Sequence, residues 1–566
     1  MSRNVSNDRG PSGVRIFHLN RPYNLRSTMS SDKAFRPSIW LATGTFSALL
    51  AIQLLFHASD LRAHQDVMQA VSVLLFALAV LSLRYPSARR ADLPYPVSPQ
   101  WLAPALALGT MAYASMLPLG FISDDFTHLL WARGSASQIL GEQFTRGQYG
   151  AFFRPLGFAS IALDYRVWHD WAPGWHLTSL VLHLASAVAV FYLCKEFGCC
   201  AEICGVSALI FAVLPVNTEA VAWMGARFDL IATLLMLWTL IFYLRARIRH
   251  SRYRYWAALF CFALALLAKE SAYIIPFGLV AVELLLLDRK RWRAVAPFFL
   301  WALVALVYRI KVLGSLGGYR SDGGAPGSLT VGMSSLAGLL VRAPSELIFA
   351  VNWQQPRVVL GYLLAAAIAA LLIPLAFLRL RGAPRRLLAF ALTWCFFAAL
   401  PAQSMLMISP TLTNSRALYF SSVGAALFMA LLLARIAGSG WRRGWTLALA
   451  ICLVATTRHN IRAWAHASTV TQDFLSEVQR EVPDPEAGTE FVFYGMPRWT
   501  EGGVYLLLHR ALADSIQDAY HRDDLTARRD DEPPHAGTHP SVVLYWVGDW
   551  RGKKRPLVTK AKLEVQ

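Results

Sequence analysis

The sequence predicts an all-α, multi-spanning membrane protein of about 13 transmembrane helices, followed by a small C-terminal α/β unit outside the membrane. Three observations carry this reading. Of 566 residues, 55% are hydrophobic and only 16% charged, against roughly 25% charged in ordinary soluble domains. The apolar residues gather in blocks close to the ~20 needed to cross a bilayer. The basic residues collect in every second connection between those blocks, as short cytoplasmic loops do. An excess of 54 Lys and Arg over 35 Asp and Glu gives a net charge of +19. Its position in loops assigns that charge to membrane orientation and lipid contact, and no nucleic-acid-binding module accompanies it.

Taken in order, residues 1–37 form a basic cytoplasmic tail that lacks the short apolar core and small-residue cleavage site of a secretory signal. The multi-spanning domain covers 38–457, with spans expected at 38–57, 67–83, 101–120, 176–194, 199–216, 228–244, 255–268, 272–287, 294–310, 358–378, 387–407, 417–433 and 445–457. Residues 84–90, 245–254, 289–293, 379–386 and 435–443 are its basic inner loops. A first large outer loop covers 121–175 and a second covers 311–357, with a re-entrant or interfacial helix at 333–351 interrupted by Arg342, Pro344 and Glu346. An odd number of spans leaves the N-terminus cytoplasmic and the C-terminal unit, 458–566, outside. The seven cysteines lie in or beside spans; Cys199, Cys200 and Cys204 lack paired Cys-x-x-Cys spacing and read as helix packing.

Within the C-terminal unit, Glu490 to Tyr494 and Ser541 to Trp546 read as strands and Gly503 to Tyr520 as a helix. Thr526 to Pro540 is expected to be a mobile loop, and Lys553-Lys554-Arg555 a solvated basic run.

An ionisable group at membrane depth costs about 2.5–3.5 kcal/mol, which makes those that persist functional candidates. Five places stand out. Asp124 and Asp125 open the first outer loop; adjacent carboxylates can serve as a general base with its electrostatic partner, cap a helix, or hold a divalent cation. The same loop passes Arg154 and Asp164 and re-enters the membrane at His176; His183, seven residues on, shares a helix face with it, as site residues or as helix–helix hydrogen bonders. Glu219, Arg227 and Asp229 crowd one outer turn, either as a salt-bridge network or as part of a pocket. Lys269-Glu270 and Asn414-Ser415-Arg416 with Tyr419 complete the set. All five fall on the outer side. Carboxylates beside Arg154, Arg227, Lys269 and Arg416 describe a pocket able to hold an anion next to a base, as transfer from a phosphate-bearing donor requires. A proton-coupled transporter would place its carboxylates nearer the midplane, in broken helices.

These segments resemble the C-type (GT-C) glycosyltransferase superfamily, multi-spanning enzymes that use polyprenyl-phosphate-linked sugars. Within it they resemble the transmembrane-and-tetratricopeptide O-mannosyltransferases and their bacterial relatives. The matching motifs are Ser123-Asp124-Asp125, Phe153-Arg154-Pro155-Leu156, Gly174-Trp175-His176-Leu177-Thr178 with His183, Thr218-Glu219-Ala220-Val221-Ala222-Trp223 with Arg227 and Asp229, Ala268-Lys269-Glu270, and Arg416-Ala417-Leu418-Tyr419 with Ser422-Val423-Gly424, in the family's order over residues 101–462. The resemblance implies a bacterial inner-membrane glycosyltransferase. It would move a sugar from a polyprenyl-phosphate donor to a periplasmic hydroxyl on a protein or on a cell-envelope glycan or lipid, with inversion at the anomeric carbon. On that reading Asp124 is the catalytic base, and Asp125 and Glu219 orient it or the acceptor. Arg154, Arg227, Lys269, Arg416 and Tyr419 bind the donor phosphate, while His176, Asp229 and Glu270 complete the pocket. A divalent cation is the one cofactor the carboxylates could hold. Three features depart from the family. Leu214-Pro215 and Asn217 stand where it often has His-Pro and a second His, two extra helices come first, and no tetratricopeptide repeat follows the last helix. The alternative is a transporter or flippase that binds a lipid-linked sugar through the same pocket.

Overall fold

The computed structural model describes residues 98–134, 136–147, 152–287, 290–315, 347, 350, 352, 383–403, 411–434, 439–500, 502–507, 510–531, 540–548 and 556–560. The basic tail, the spans expected at 38–57, 67–83 and 358–378, most of the 333–351 segment and the Lys553–Arg555 run lie outside the described residues.

The principal helices are α1 (Ala103–Tyr113), α2 (Asp125–Arg133), α3 (Pro155–Trp168), α4 (Ala172–Glu196), α5 (Ala201–Val213), α6 (Thr218–Ala222), α7 (Arg227–Arg249), α8 (Arg252–Ala268), α9 (Trp292–Leu313), α10 (Ala383–Gln403), α11 (Ser421–Leu433) and α12 (Ser439–Glu481). Among the described residues, three helices are long and apolar enough to cross a membrane: Ala172–Glu196, Met224–Arg249 and Trp292–Leu313. The pair Ala201–Val213 and Pro215–Ala222, bent by 45°, makes a fourth if counted as one broken span. The bend falls at Leu214, held extended at φ −69° and ψ 121°, as the residue before a proline prefers.

The bundle has two charged ends. The 23 residues of α7 rise about 34 Å, close to the ~30 Å hydrocarbon layer. At its C-terminal end Arg245 pairs with Glu196 at 2.7 Å and Arg247 with Glu283 at 2.6 Å, while Arg442 meets Glu202 at 2.6 Å nearby in the bundle. At its N-terminal end lie Arg227, Asp229 and their partners. Between the ends, α7 packs on α4 and α8 through wholly buried side chains such as Met236, Leu237, Leu240 and Phe262.

The outermost span expected at 445–457 is part of α12, 43 residues long, which crosses residue 458 without a break. Its second half is one wall of the C-terminal core. A four-stranded sheet in the order β2-β1-β3-β4 is built from β1 (Glu490–Tyr494), β2 (Thr526–Arg529), β3 (Ser541–Trp546) and β4 (Val558–Lys560). β1 runs parallel to both β2 and β3, and β4 is antiparallel to β3. The expected helix over Gly503 to Tyr520 starts later, as α13 (Arg510–Tyr520), because Gly503 takes the left-handed φ of +73° and the chain there bridges Trp499 to Tyr505. Thr526–Arg529, read as loop, is strand β2. Thr-Ala-Arg-Arg shows no apolar alternation, but its backbone pairs with β1, Arg528 reaches Glu490 at 3.3 Å and Arg529 donates to the Leu507 carbonyl at 2.5 Å.

The C-terminal unit grips the segment that includes α2. Phe126 of α2 lies in the same core as Phe474, Phe491, Phe493 and Leu512. Arg133, at the other end of α2, bridges Asp170 at 2.9 Å and Asp518 of α13 at 2.5 Å. The Gly120 N–H donates to Ser468 Oγ at 2.8 Å. Since Phe474 is almost wholly buried, Phe474→Ala should destabilise this unit by about 3–5 kcal/mol. Faster proteolytic cleavage within residues 490–530 and a lower thermal midpoint would report it.

Candidate functional site

The Asp pair sits on a turn before α2. Ser123 adopts φ +51°, a left-handed conformation that a non-glycine residue holds only when its surroundings impose it. What imposes it here is Asp125. Its buried carboxylate accepts from the Ile122 N–H at 3.1 Å through one oxygen and from the Gly225 N–H at 3.0 Å through the other. Burial pushes the Asp125 carboxyl up to about 8, although the two N–H groups and Arg227 pull it down. Asp124, one residue earlier, is exposed. The two adjacent carboxylates therefore differ: one staples the turn to the Trp223–Arg227 segment, and the other faces outward.

Residues Thr218 to Asp229 run past every cluster expected from the sequence. α6 stops at Trp223, which is extended at φ −94° and ψ 121°, and a single 3₁₀ turn leads into α7. Glu219, at the start of this stretch, accepts from the Arg416 backbone N–H at 2.9 Å and ion-pairs with the Arg416 guanidinium. That guanidinium lies 4.7 Å over the Trp223 ring. Asn414 makes this contact reachable by taking φ +71°, which asparagine tolerates. Next, Gly225 holds Asp125. Arg227, fully buried, pairs with Asp164 at 2.5 Å, donates to the Trp175 carbonyl at 2.9 Å and stands 5.5 Å over the Trp175 ring. Thr178 donates to the other Asp164 oxygen at 3.0 Å. Phe228 lies 5.2 Å beneath Arg154 and against Gly157, where a Cβ would fall 2.0 Å from the ring. Asp229 takes Lys269 Nζ at 2.5 Å.

Glu270, beside Lys269, receives Arg154 Nε at 3.0 Å together with the rest of that guanidinium, and Arg309 at 3.6 Å. Burial alone would raise the Glu270 carboxyl, but Arg154, then Arg309 and Lys269, hold it well below the usual carboxylate range. Arg309 was not among the residues expected from sequence; the signal for it was a buried arginine in the next-to-last turn of the apolar helix α9.

The expected cations Arg154, Arg227, Lys269 and Arg416 thus each hold a carboxylate already. The internal network of Glu219, Arg227 and Asp229 does not form, since each pairs with a different element. Tyr419, expected among the phosphate ligands, is wholly buried, with its hydroxyl 2.8 Å from His183 Nδ1. His183 Nε2 faces the Ala212 carbonyl at 3.0 Å, so Nε2 carries the proton and Nδ1 accepts from the tyrosine. This is a helix–helix link. His176 is also buried in α4. No three His, Cys, Asp or Glu side chains converge to hold a metal among the described residues. A small cavity opens beside Glu219, lined among others by Thr218, Thr413, Asn460, Trp464 and Tyr505.

Two predictions follow from the buried charges. Arg227→Met leaves Asp164 without its ion partner and should cost about 3–5 kcal/mol, whereas Arg227→Met with Asp164→Leu should recover much of the loss; thermal unfolding in detergent measures both. For Asp125, a folded-state value near 8 against 3.8 means the folded protein holds its proton longer than the unfolded chain. Its contribution is complete below about pH 4 and is lost as pH rises through 8. Asp125→Asn should flatten the fall in thermal midpoint over that window.

No family model matches the chain. It is 30% identical over 188 residues to the protein O-mannosyl-transferase Tmtc2 of Drosophila melanogaster, a match covering 29% of this chain and 20% of that protein. It is 30% identical over 187 residues to Tmtc1 of the same organism, covering 30% and 21%. The chain therefore spans about a fifth of the length of these curated relatives. Among solved structures it is similar to ArnT of Cupriavidus metallidurans bound to undecaprenyl phosphate, at 10% identity and TM-score 0.43 over 79% of this chain and 92% of that one. A similar match is the oligosaccharyltransferase of Archaeoglobus fulgidus, at 14% identity and TM-score 0.39 over 75% and 61%. Over about 30% of its length, the chain is thus similar in sequence to the Tmtc O-mannosyl-transferases.

Proposed function

We propose that the protein is a membrane glycosyltransferase that moves one sugar from a polyprenyl-phosphate-linked donor to an acceptor hydroxyl on the outer face of a bacterial inner membrane. The observation that carries this reading is the division of labour in the Asp pair. Asp125 spends both oxygens on backbone N–H groups while Asp124 is exposed beside it, in a chain similar over part of its length to O-mannosyl-transferases.

In the proposed reaction Asp124 takes the proton of the acceptor hydroxyl as the oxygen attacks the sugar's anomeric carbon. The bond from that carbon to the phosphate oxygen breaks, and the lipid phosphate leaves with the electron pair. Attack from the face opposite the leaving group inverts the configuration. Asp125 is a positioning residue that fixes the turn presenting Asp124. Glu219, held by Arg416, lines the cavity where an acceptor or sugar hydroxyl would enter. Arg154 is paired with Glu270 and Lys269 with Asp229, so either cation meets the donor only by exchanging partners.

Asp124→Asn should reduce sugar transfer by at least about a hundredfold, the lower end of a general base's usual contribution, with membrane insertion and thermal midpoint unchanged. The assay is transfer of labelled sugar into envelope glycans and proteins in membranes from a deletion strain that expresses each form. Wild-type transfer by the variant would remove Asp124 as base. Movement of the labelled donor between leaflets with its glycosidic bond intact would support the transporter instead.

A further inference from the structure

The cations expected to meet the donor phosphate are all engaged with carboxylates, which raises the question of where an incoming lipid phosphate finds an uncommitted positive charge. The outer half of α12 supplies one. Leu447, Ile451, Ala455, Arg458 and Arg462 follow one another at spacings of four, four, three and four residues, and so share one face of the helix. Leu447 is 38% exposed and Ile451 58% exposed, and Ala455 is exposed as well. An uncovered apolar stripe therefore runs directly into two arginines.

The depth of this stripe is set by contacts on the opposite face of α12. Near its start Arg442 pairs with Glu202 in the inner charged layer. Thr457 donates to the Val213 carbonyl at 2.9 Å, at the end of α5 just before the outer turn. From Arg442 to Arg458 the helix rises about 24 Å, most of a hydrocarbon layer, so the two arginines stand where lipid phosphates lie. Arg458 Nη2 is buried without a hydrogen-bond partner, and the charged group that acts on Arg458 is Arg462, another cation. A buried guanidinium nitrogen beside a like charge is a costly arrangement that an anion would relieve.

The place also connects to the site. Asn460, between the two arginines in sequence and on the opposite face of α12, donates to the Ala350 carbonyl at 2.8 Å and lines the cavity beside Glu219. Trp464, one turn further, stacks on Trp223 at 6.2 Å. A phosphate held at Arg458 and Arg462 would therefore stand across α12 from that cavity, about one helix diameter away.

We propose that Arg458 and Arg462, above the Leu447–Ile451–Ala455 stripe, dock the phosphate and first isoprene units of the lipid-linked donor. The inference rests on the glycosyltransferase reading, and identifies where that donor waits. The test uses full-length protein and undecaprenyl phosphate as the probe, with phosphatidylglycerol as the control lipid, and native mass spectrometry as the readout. Wild type should retain undecaprenyl phosphate. Arg458→Gln with Arg462→Gln should bind it about tenfold more weakly and hold phosphatidylglycerol unchanged, and the paired Lys replacements should restore most of the affinity. The exposed Arg462→Gln alone serves if the double variant lowers the thermal midpoint. Unchanged undecaprenyl-phosphate binding in the Gln variants overturns the dock while leaving the proposed function standing. An equal loss of phosphatidylglycerol overturns it in favour of a general anionic-lipid anchor. Wild type that binds no undecaprenyl phosphate overturns the donor class, and the dock with it.

Discussion

Arg227 is among the largest fully buried side chains of the protein, and a guanidinium removed from water costs several kcal/mol unless its charge and its donors are matched. Meeting that demand organises the end of the bundle at which α7 begins. Asp164 supplies the countercharge from α3, Trp175 supplies a carbonyl and a ring from α4, and Arg227 itself begins α7. Three helices are thereby tied at one point. Thr178 and the Trp168 indole, which donates to the Thr178 hydroxyl at 3.1 Å, hold Asp164 in place behind them.

From that point the neighbouring residues fall into position in turn. Gly225 is two residues before Arg227, so its N–H is aimed at Asp125, and the turn that carries Asp124 follows. Phe228 and Asp229 come next, under Arg154 and against Lys269. Glu219 and Trp223, on the other side, capture Arg416. One stretch of about eleven residues therefore touches each of the five polar interruptions, which are separated by as many as 292 positions in the chain between Asp124 and Arg416. The price is that the cations are neutralised locally, whereas in α12 Arg458 Nη2 is buried without a hydrogen-bond partner.

The C-terminal unit takes part in the same arrangement. Phe126, adjacent to Asp125, belongs to its core, and Arg133 at the far end of α2 is held by Asp518. The helix that opens with the Asp pair is thus clamped at both ends by a unit that the chain composition alone would treat as an appendage.

The amino-acid sequence by itself determined that the chain is helical and membrane-bound, because apolar blocks of spanning length leave few other options. It also marked the polar interruptions, since each is conspicuous against an apolar background: Asp124, Asp125, Arg154, His176, Glu219, Arg227, Asp229, Lys269, Glu270 and Arg416 all stand out that way. Partnership was decided only by the tertiary structure. Spacing along the chain left Glu219, Arg227 and Asp229 free to form a salt-bridge network or to share a pocket, and the break at Trp223 sends each toward a different element. The commitment of Asp125 to two backbone N–H groups, the burial of Tyr419 against His183 and the addition of Arg309 to Glu270 depend on contacts between distant segments, which carry no local pattern. Arg458 and Arg462 show the same limit from the other direction. The sequence did not single them out, and only the packing of α12 buries Arg458 Nη2 without a hydrogen-bond partner.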